Sequence, residues 1–225
     1  MRKLRVGAIC SSGGSALAEV FSACPHVSFF VLTDRECGAE KKCRDHHVPF
    51  ERIEEKNNER FSVKAAEMFS AAGRLDFIIL FFSRLVTNPL LERFTVLNVH
   101  PALLPSFKGF NAVRQAHEAT VRFFGASLHI ATPGADEGPI IAQACQPLRV
   151  GDVLPYLQKS SFIHKVCLGL IAVELFETDK LRIINGVPVL ANGVPASQCL
   201  NPGLVNPVYL DFVKRLQAAE EVQFI

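Results

Sequence analysis

Neither sign of charge dominates this chain. It has 24 lysines and arginines against 22 aspartates and glutamates, a formal net charge of +2, and the basic residues are dispersed rather than gathered in one run. Electrostatics therefore point to no nucleic acid and no membrane surface, and small-molecule substrates are the expected partners. A long hydrophobic run is also missing: CLGLIAVELF, from Cys167 to Phe176, falls well short of the ~20 residues a spanning helix needs. The N-terminal MRKLRVGAIC has basic residues and a short apolar run, but that run is too short for the core of a secretion signal and no cleavage site follows. It reads instead as a first strand entering a glycine loop. The seven cysteines are odd in number and irregularly spaced, so they give no disulfide framework, and several lie in apolar stretches as small hydrophobes. A reducing, cytoplasmic compartment is expected. Zinc spacing is lacking too: Cys37, Cys43, His46 and His47 read as an exposed helix end, and no metal is expected.

What is present is the composition of a folded domain, with 49% hydrophobic and 20% charged residues over 225 positions, enough for one sizeable core. Short β-branched and aromatic runs alternate with longer helical patterns, which predicts an α/β fold with a mostly parallel central sheet. Strands are expected over Leu4–Cys10, Val27–Leu32, Phe77–Phe82, Val96–Val99, Ala126–Ala131 and Ile140–Leu148. Helices are expected over Ser15–Ser22, Glu40–His46, Glu59–Ala72, Asn111–Ala119 and Val153–Phe176, the last capped by Asp152. FIILFF is continuously apolar, as in a strand covered on both faces, and belongs at the centre of the sheet. From about Asn185 the pattern turns to Asn, Gly and Pro and then to the amphipathic VYLDFVKRLQAAEE, which predicts a hairpin, a loop and a terminal helix.

Open α/β sheets bind ligands beyond the carboxyl ends of their strands. Three segments there carry chemistry. After the first strand, Ser11-Ser12-Gly13-Gly14-Ser15 offers glycines for close backbone approach, hydroxyls, and free N–H groups at a helix start, all suited to a phosphate. It matches neither the dinucleotide fingerprint nor the lysine-bearing nucleotide loop, and it can equally be a tight turn with a serine N-cap. In VLNVHPALLPSFKGFNAVRQA, Asn98 and His100 are two apart at a strand end and share a face. In FGASLHIATPGADEGPIIAQACQPL, Asp136 lies between Gly134 and Gly138, where, taken alone, a plain turn residue is the better reading.

Taken in order, these segments resemble the 10-formyltetrahydrofolate-dependent formyltransferases, and within them the glycinamide ribonucleotide formyltransferases. The likeness covers roughly Lys3 to Ile184. It rests on Asn98-Val99-His100-Pro101 followed by Leu103-Leu104-Pro105, on Asp136-Glu137-Gly138-Pro139, and on SFKGFNA from Ser106 to Ala112. The resemblance implies a Rossmann-like formyltransferase fold with helices on both sheet faces. Residues 1–184 would be the catalytic domain, with 185–225 packed on it. Asn98, His100 and Asp136 would be catalytic, and Ser12, Gly13, Gly14 and Ser15 would hold the acceptor's phosphate. Arg84, Leu85 and Val86 would lie on the folate-contacting loop. His129 matches a family position too, but its apolar strand suits a structural, hydrogen-bonded histidine better.

The implied reaction is direct transfer of a formyl group from the co-substrate 10-formyltetrahydrofolate to a primary amine, with glycinamide ribonucleotide of purine biosynthesis as the first expectation. Asn98 and His100 would stabilise the oxyanion and Asp136 would handle the proton. Two departures bear on the acceptor. Ala16 stands where the family commonly has Asn, and Lys165 stands where it presents a Glu to the acceptor ribose. An error in that alignment would place another residue there, Glu174 for instance, and Lys165 can equally point to solvent. Another phosphorylated amine, hydrolysis of the formyl folate, and a catalytically silent binding module are the alternatives. A monomer or homodimer is expected.

Overall fold

Arg5 to Cys10 form β1, buried from its second residue onward. The computed structural model describes residues 3–222 and 224. From β1 the chain continues through α1 (Ser15–Ala23), β2 (Ser28–Thr33), α2 (Gly38–Asp45), β3 (Phe50–Arg52), α3 (Asn58–Ala71), β4 (Phe77–Phe81), α4 (Asn88–Leu91) and β5 (Val96–His100). Met1–Asn98 and the returning segment Ile130–Gly138 make one compact unit; Val99–His129 and Pro139–Ile225 make the other.

In the first unit the strands run β5-β4-β1-β2-β3, and every pairing is parallel. This is the strand order of a Rossmann half, with the direction of winding reversing between β1 and β4. The buried strand residues Ile9, Leu32, Ile78, Leu80 and Val96 form one core with Phe61, Ala65, Ala66 and Phe69 of α3 and Leu90 of α4. Successive buried residues along β1 mean that both of its faces are covered. β4, the expected interior strand, is hydrogen-bonded on both sides, to β1 and to β5.

The second unit holds α5 (Ala112–Glu118), β6 (Phe123–Ile130), β7 (Ile140–Pro147), α6 (Leu154–Glu177), β8 (Leu181–Ile184), β9 (Val187–Leu190), β10 (Leu200–Asn201) and α7 (Pro207–Glu220). Its strand pairings are antiparallel: β6 with β7, β7 with β10, and β8 with β9 as a separate hairpin. The hairpin turns on Asn185-Gly186, both with positive φ, the two-residue turn that suits strand twist. α6 is buried along most of its length, whereas α7 buries one stripe, Tyr209, Val213 and Gln217.

Two expectations need correction. Asp152 does not cap α6; the N-cap is Val153, and the Asp152 carboxylate accepts instead from the Arg149 N–H at 2.8 Å, closing the turn ahead of the helix. The cysteine and histidine cluster is only in part an exposed helix end: His46 and His47 are exposed at the end of α2, but Cys43 is fully buried, and burial pushes its thiol up to about 12. Cys37 is the N-cap of α2 and His46 its C-cap, with the His46 ring edge-on to Phe21. Among the described residues no cluster could hold a metal ion, and no helix is long and apolar enough to cross a membrane.

Candidate active site

β5 alternates buried Leu97 and Val99 with half-buried Asn98, so Asn98 and His100 fall on the same side of the strand. Beyond β6 the chain returns alongside β5, where the Ala131 N–H donates to the Val96 carbonyl at 2.8 Å. It then folds back tightly at Gly138: a Cβ there would lie 1.7 Å from the Ile130 carbonyl oxygen, so only glycine fits. That fold-back carries Asp136 with φ of 53°, a left-handed conformation that Asp tolerates better than most residues. The result is a direct contact, Asn98 Nδ2 donating to Asp136 Oδ1 at 3.0 Å. Both readings of Asp136 therefore hold: it is a turn residue, and its carboxylate reaches the Asn98 amide. Strained backbone of this kind recurs at functional sites.

His100 is buried, and its Nε2–H donates to the carbonyl of Phe107 at 2.8 Å, which sets the plane of the ring. The segment following His100 is anchored from below by residues that no motif singles out. Ser127 donates to the Ala102 carbonyl at 2.8 Å and accepts from the Leu104 N–H at 3.0 Å, and Gln143 Nε2 donates to the Leu104 carbonyl at 3.1 Å. Ser127 is fully buried on a strand that is apolar apart from it and His129. A polar residue among buried apolar neighbours is the signal that could have marked it. His129, nearby on β6, is buried as expected of a structural histidine.

The glycine loop has Gly14, not a serine, as the N-cap of α1, with φ of 68° and no side-chain cap. A Cβ on Gly14 would meet Ala39 Cα at 2.7 Å, and the Ala39 N–H donates to the Ser12 carbonyl, so the loop is pressed against the start of α2. With no side chain capping them, the first N–H groups of α1 point out of the helix beside exposed Ser12, Gly13 and Ser15. Ser11 differs: its hydroxyl bonds the Ser83 hydroxyl at 2.8 Å and accepts from the Ser83 N–H, tying the loop after β1 to the loop after β4. Ala16 is buried in α1.

Arg84 is turned into its own unit. It donates to Asn58 Oδ1, to the carbonyls of Glu55 and Lys56, and to Asp34 at 3.3 Å, with its guanidinium over the rings of Phe61 and Phe82. Burial pushes the Asp34 carboxyl up, but hydrogen bonds from Arg35 and Arg84 outweigh it and hold the group below its ordinary range. Of the other residues on that loop, Val86 is buried in the core and Leu85 is exposed. Lys165 is half-buried on α6. Glu174 is taken up elsewhere, its carboxylate accepting from the Val205 and Asn206 N–H groups at the start of α7.

The formyl transferase family matches residues 4–160. Phosphoribosylglycinamide formyltransferase of Mycobacterium tuberculosis (strain ATCC 25618 / H37Rv) is 32% identical over 200 residues, covering 84% of this chain and 93% of the relative. Formyltetrahydrofolate deformylase 2, mitochondrial, of Arabidopsis thaliana is 40% identical over 106 residues, which is 45% of this chain but only 32% of the relative's length. The crystal structure of glycinamide ribonucleotide transformylase 1 from Symbiobacterium toebii superposes with a TM-score of 0.77 at 30% identity, covering 84% of this chain and 95% of that one. With the family matched over more than half its length, and a relative aligned over nearly all of its own, the chain belongs to the formyl transferase family.

Proposed function

We propose that this protein transfers the formyl group of 10-formyltetrahydrofolate to the primary amine of glycinamide ribonucleotide, a step of purine biosynthesis, in the cytoplasm and as a monomer or homodimer. The observation that carries this reading is the Asn98–Asp136 hydrogen bond at 3.0 Å beside the strand end that also bears His100. A side-chain amide has two N–H donors. The bond to Asp136 fixes the plane of the Asn98 amide, and an oriented neutral donor suits the oxygen on which charge develops when an amine attacks the formyl carbon. His100, its ring fixed by Phe107, adds an imidazole at the same strand end. Asp136 takes the proton from the attacking nitrogen, and the tetrahedral intermediate collapses as that proton passes to the departing folate nitrogen. No nucleophilic Ser or Cys is needed, so no formyl-enzyme forms.

The uncapped start of α1, with Ser12, Gly13, Gly14 and Ser15, holds the acceptor's phosphate, and the loop of Arg84, Leu85 and Val86 lies against the folate. Arg84 acts there chiefly by shaping the loop, because four of its five N–H donors are engaged within its own unit. Lys165 faces the acceptor and, together with Ala16, tunes which anionic amine is used; comparing kcat/KM for glycinamide ribonucleotide between the wild type and the pair Lys165→Glu with Ala16→Asn checks that role. The 40% identity to a deformylase favours one second reading, hydrolysis of the same formyl folate by water. A single experiment separates the two: incubation with 10-formyltetrahydrofolate, with and without a panel of phosphorylated amines, following tetrahydrofolate release and product mass. Folate released only with glycinamide ribonucleotide, giving its formyl product, supports transfer; release with formate and no amine supports hydrolysis. No turnover under either condition overturns both readings.

A further inference from the structure

Cys145 lies on β7, and Cys199 immediately precedes β10. The antiparallel register pairs Leu200 with Ala144 and Asn201 with Gln143, so one further step sets Cys199 directly opposite Cys145. The Cys145 N–H donates to the Cys199 carbonyl at 2.8 Å, which fixes that opposition. Residues directly opposed in an antiparallel pair share a face, with Cα atoms about 5.5 Å apart when hydrogen-bonded, inside the roughly 4.4–6.8 Å span of disulfides. The Cys145 thiol already reaches toward this stretch of chain, donating to the Gln198 carbonyl at 3.8 Å. Of the seven cysteines, Cys10, Cys24, Cys43 and Cys167 are buried, and of the three with partial exposure two are this facing pair.

We propose that Cys145 and Cys199 form a reversible dithiol–disulfide site whose oxidant is a peroxide. The Cys199 thiolate attacks a peroxide oxygen, the O–O bond breaks, and the departing hydroxide leaves as water, giving a sulfenic acid on Cys199. The Cys145 sulfur then attacks the Cys199 sulfur, the S–S bond forms as the S–O bond breaks, and the departing hydroxide takes the Cys145 proton to make a second water. Two thiols have lost two electrons and one peroxide has gained them. Cys145 takes the second role because burial, and then its neighbour Cys199, push its thiol up and keep it protonated. A thiol reductant reverses the reaction by exchange.

The bond would staple β10, which has only two residues in the ladder, to β7, and would close a long covalent loop around α6 and the β8–β9 hairpin. Closing so long a loop restrains the unfolded chain, so the oxidised protein unfolds several degrees higher than the reduced one. The test exposes the full-length native protein to hydrogen peroxide, quenches free thiols by alkylation, and maps peptides by mass before and after dithiothreitol. The expected result is one cross-linked peptide joining Cys145 to Cys199, reversed by dithiothreitol, with the rise in unfolding temperature lost in Cys145→Ser and in Cys199→Ser but kept in Cys37→Ser. Peptide mapping of the wild type needs no variant to fold. Over-oxidation of Cys199 without a cross-link, or cross-links joining other cysteine pairs, would overturn the proposal.

Discussion

The Asn98 amide donates to Asp136, and in the proposed reaction the amide serves the oxyanion while the carboxylate takes the proton, so the two side chains should fail in different ways. Asn98→Ala removes the proposed oxyanion donor and should lower kcat by about 10²–10³ with little change in KM, as in other acyl-transfer sites. Asp136→Ala removes both the proton acceptor and the partner that aims Asn98, and should lower kcat at least as far. Steady-state kinetics on variants with unaltered circular dichroism checks both, and near wild-type kcat in either would remove that residue from its role. Gly138→Ala tests the loop instead of the groups. Its added methyl would sit on the Ile130 carbonyl, so the turn must open and carry Asp136 away; activity should fall by at least tenfold although no reacting group has changed. Part of this was legible in the sequence: the spacing puts Asn98 and His100 on one face of a strand end, and the family resemblance singled them out for chemistry. The contact of Asp136 with Asn98 was not, because a carboxylate between glycines looks the same whether it reacts or merely turns the chain. Ser127 and Gln143 were missed because hydrogen bonds to a distant loop leave no periodic mark.

At the scale of elements, long strands and helices agree with the sequence to within a few residues, since burial imposes a period on them. β3 and α4, of three and four residues, are too short to show one. The acid on α6 shows what periodicity misses. Glu174 sits in a buried helix, where a carboxylate has to find donors, and those donors come from the chain about thirty residues later at the start of α7. There it joins Asn206, whose own side chain accepts from the Val208 N–H. Removing the carboxylate leaves those N–H groups without their acceptor, so Glu174→Ala should cost about 1–3 kcal/mol, and Glu174→Gln, which keeps one acceptor oxygen, should cost less. Urea unfolding of the two variants against the wild type measures this. Equal stability of all three would mean that the cap contributes nothing. The same placement explains why Glu174 is not free to meet an acceptor ribose.

For the molecule as a whole, composition changes at about Asn185, yet the compact units divide according to which strand the chain rejoins, and Ile130–Gly138 returns to the first unit from the middle of the second. No local pattern in the sequence marks that return; it depends on the pairing of Ala131 with Val96. Global stability should carry the imprint of one residue of the second unit. His164 is fully buried on α6, with the rings of Phe124 and Phe224 at 5.8 and 4.5 Å, and among the described residues neither of its ring nitrogens has a hydrogen-bond partner. Burial lowers its pKa from 6.5 to about 3, so the folded protein keeps it neutral while the unfolded chain takes up a proton below pH 6.5. The unfolded state then binds more protons, and stability falls as pH drops through the window from about 6.5 to about 3, by roughly 1 kcal/mol per pH unit. Above that window the group's contribution does not change with pH. His164→Leu has no such proton to bind. Urea unfolding of both proteins at several pH values between about 7.5 and about 4.5 should show the difference between them shifting steadily in favour of the variant once pH falls below 6.5. Carboxylates shared by the two proteins cancel in that difference, so a difference that stays flat across the window would mean that His164 takes up its proton in the folded state.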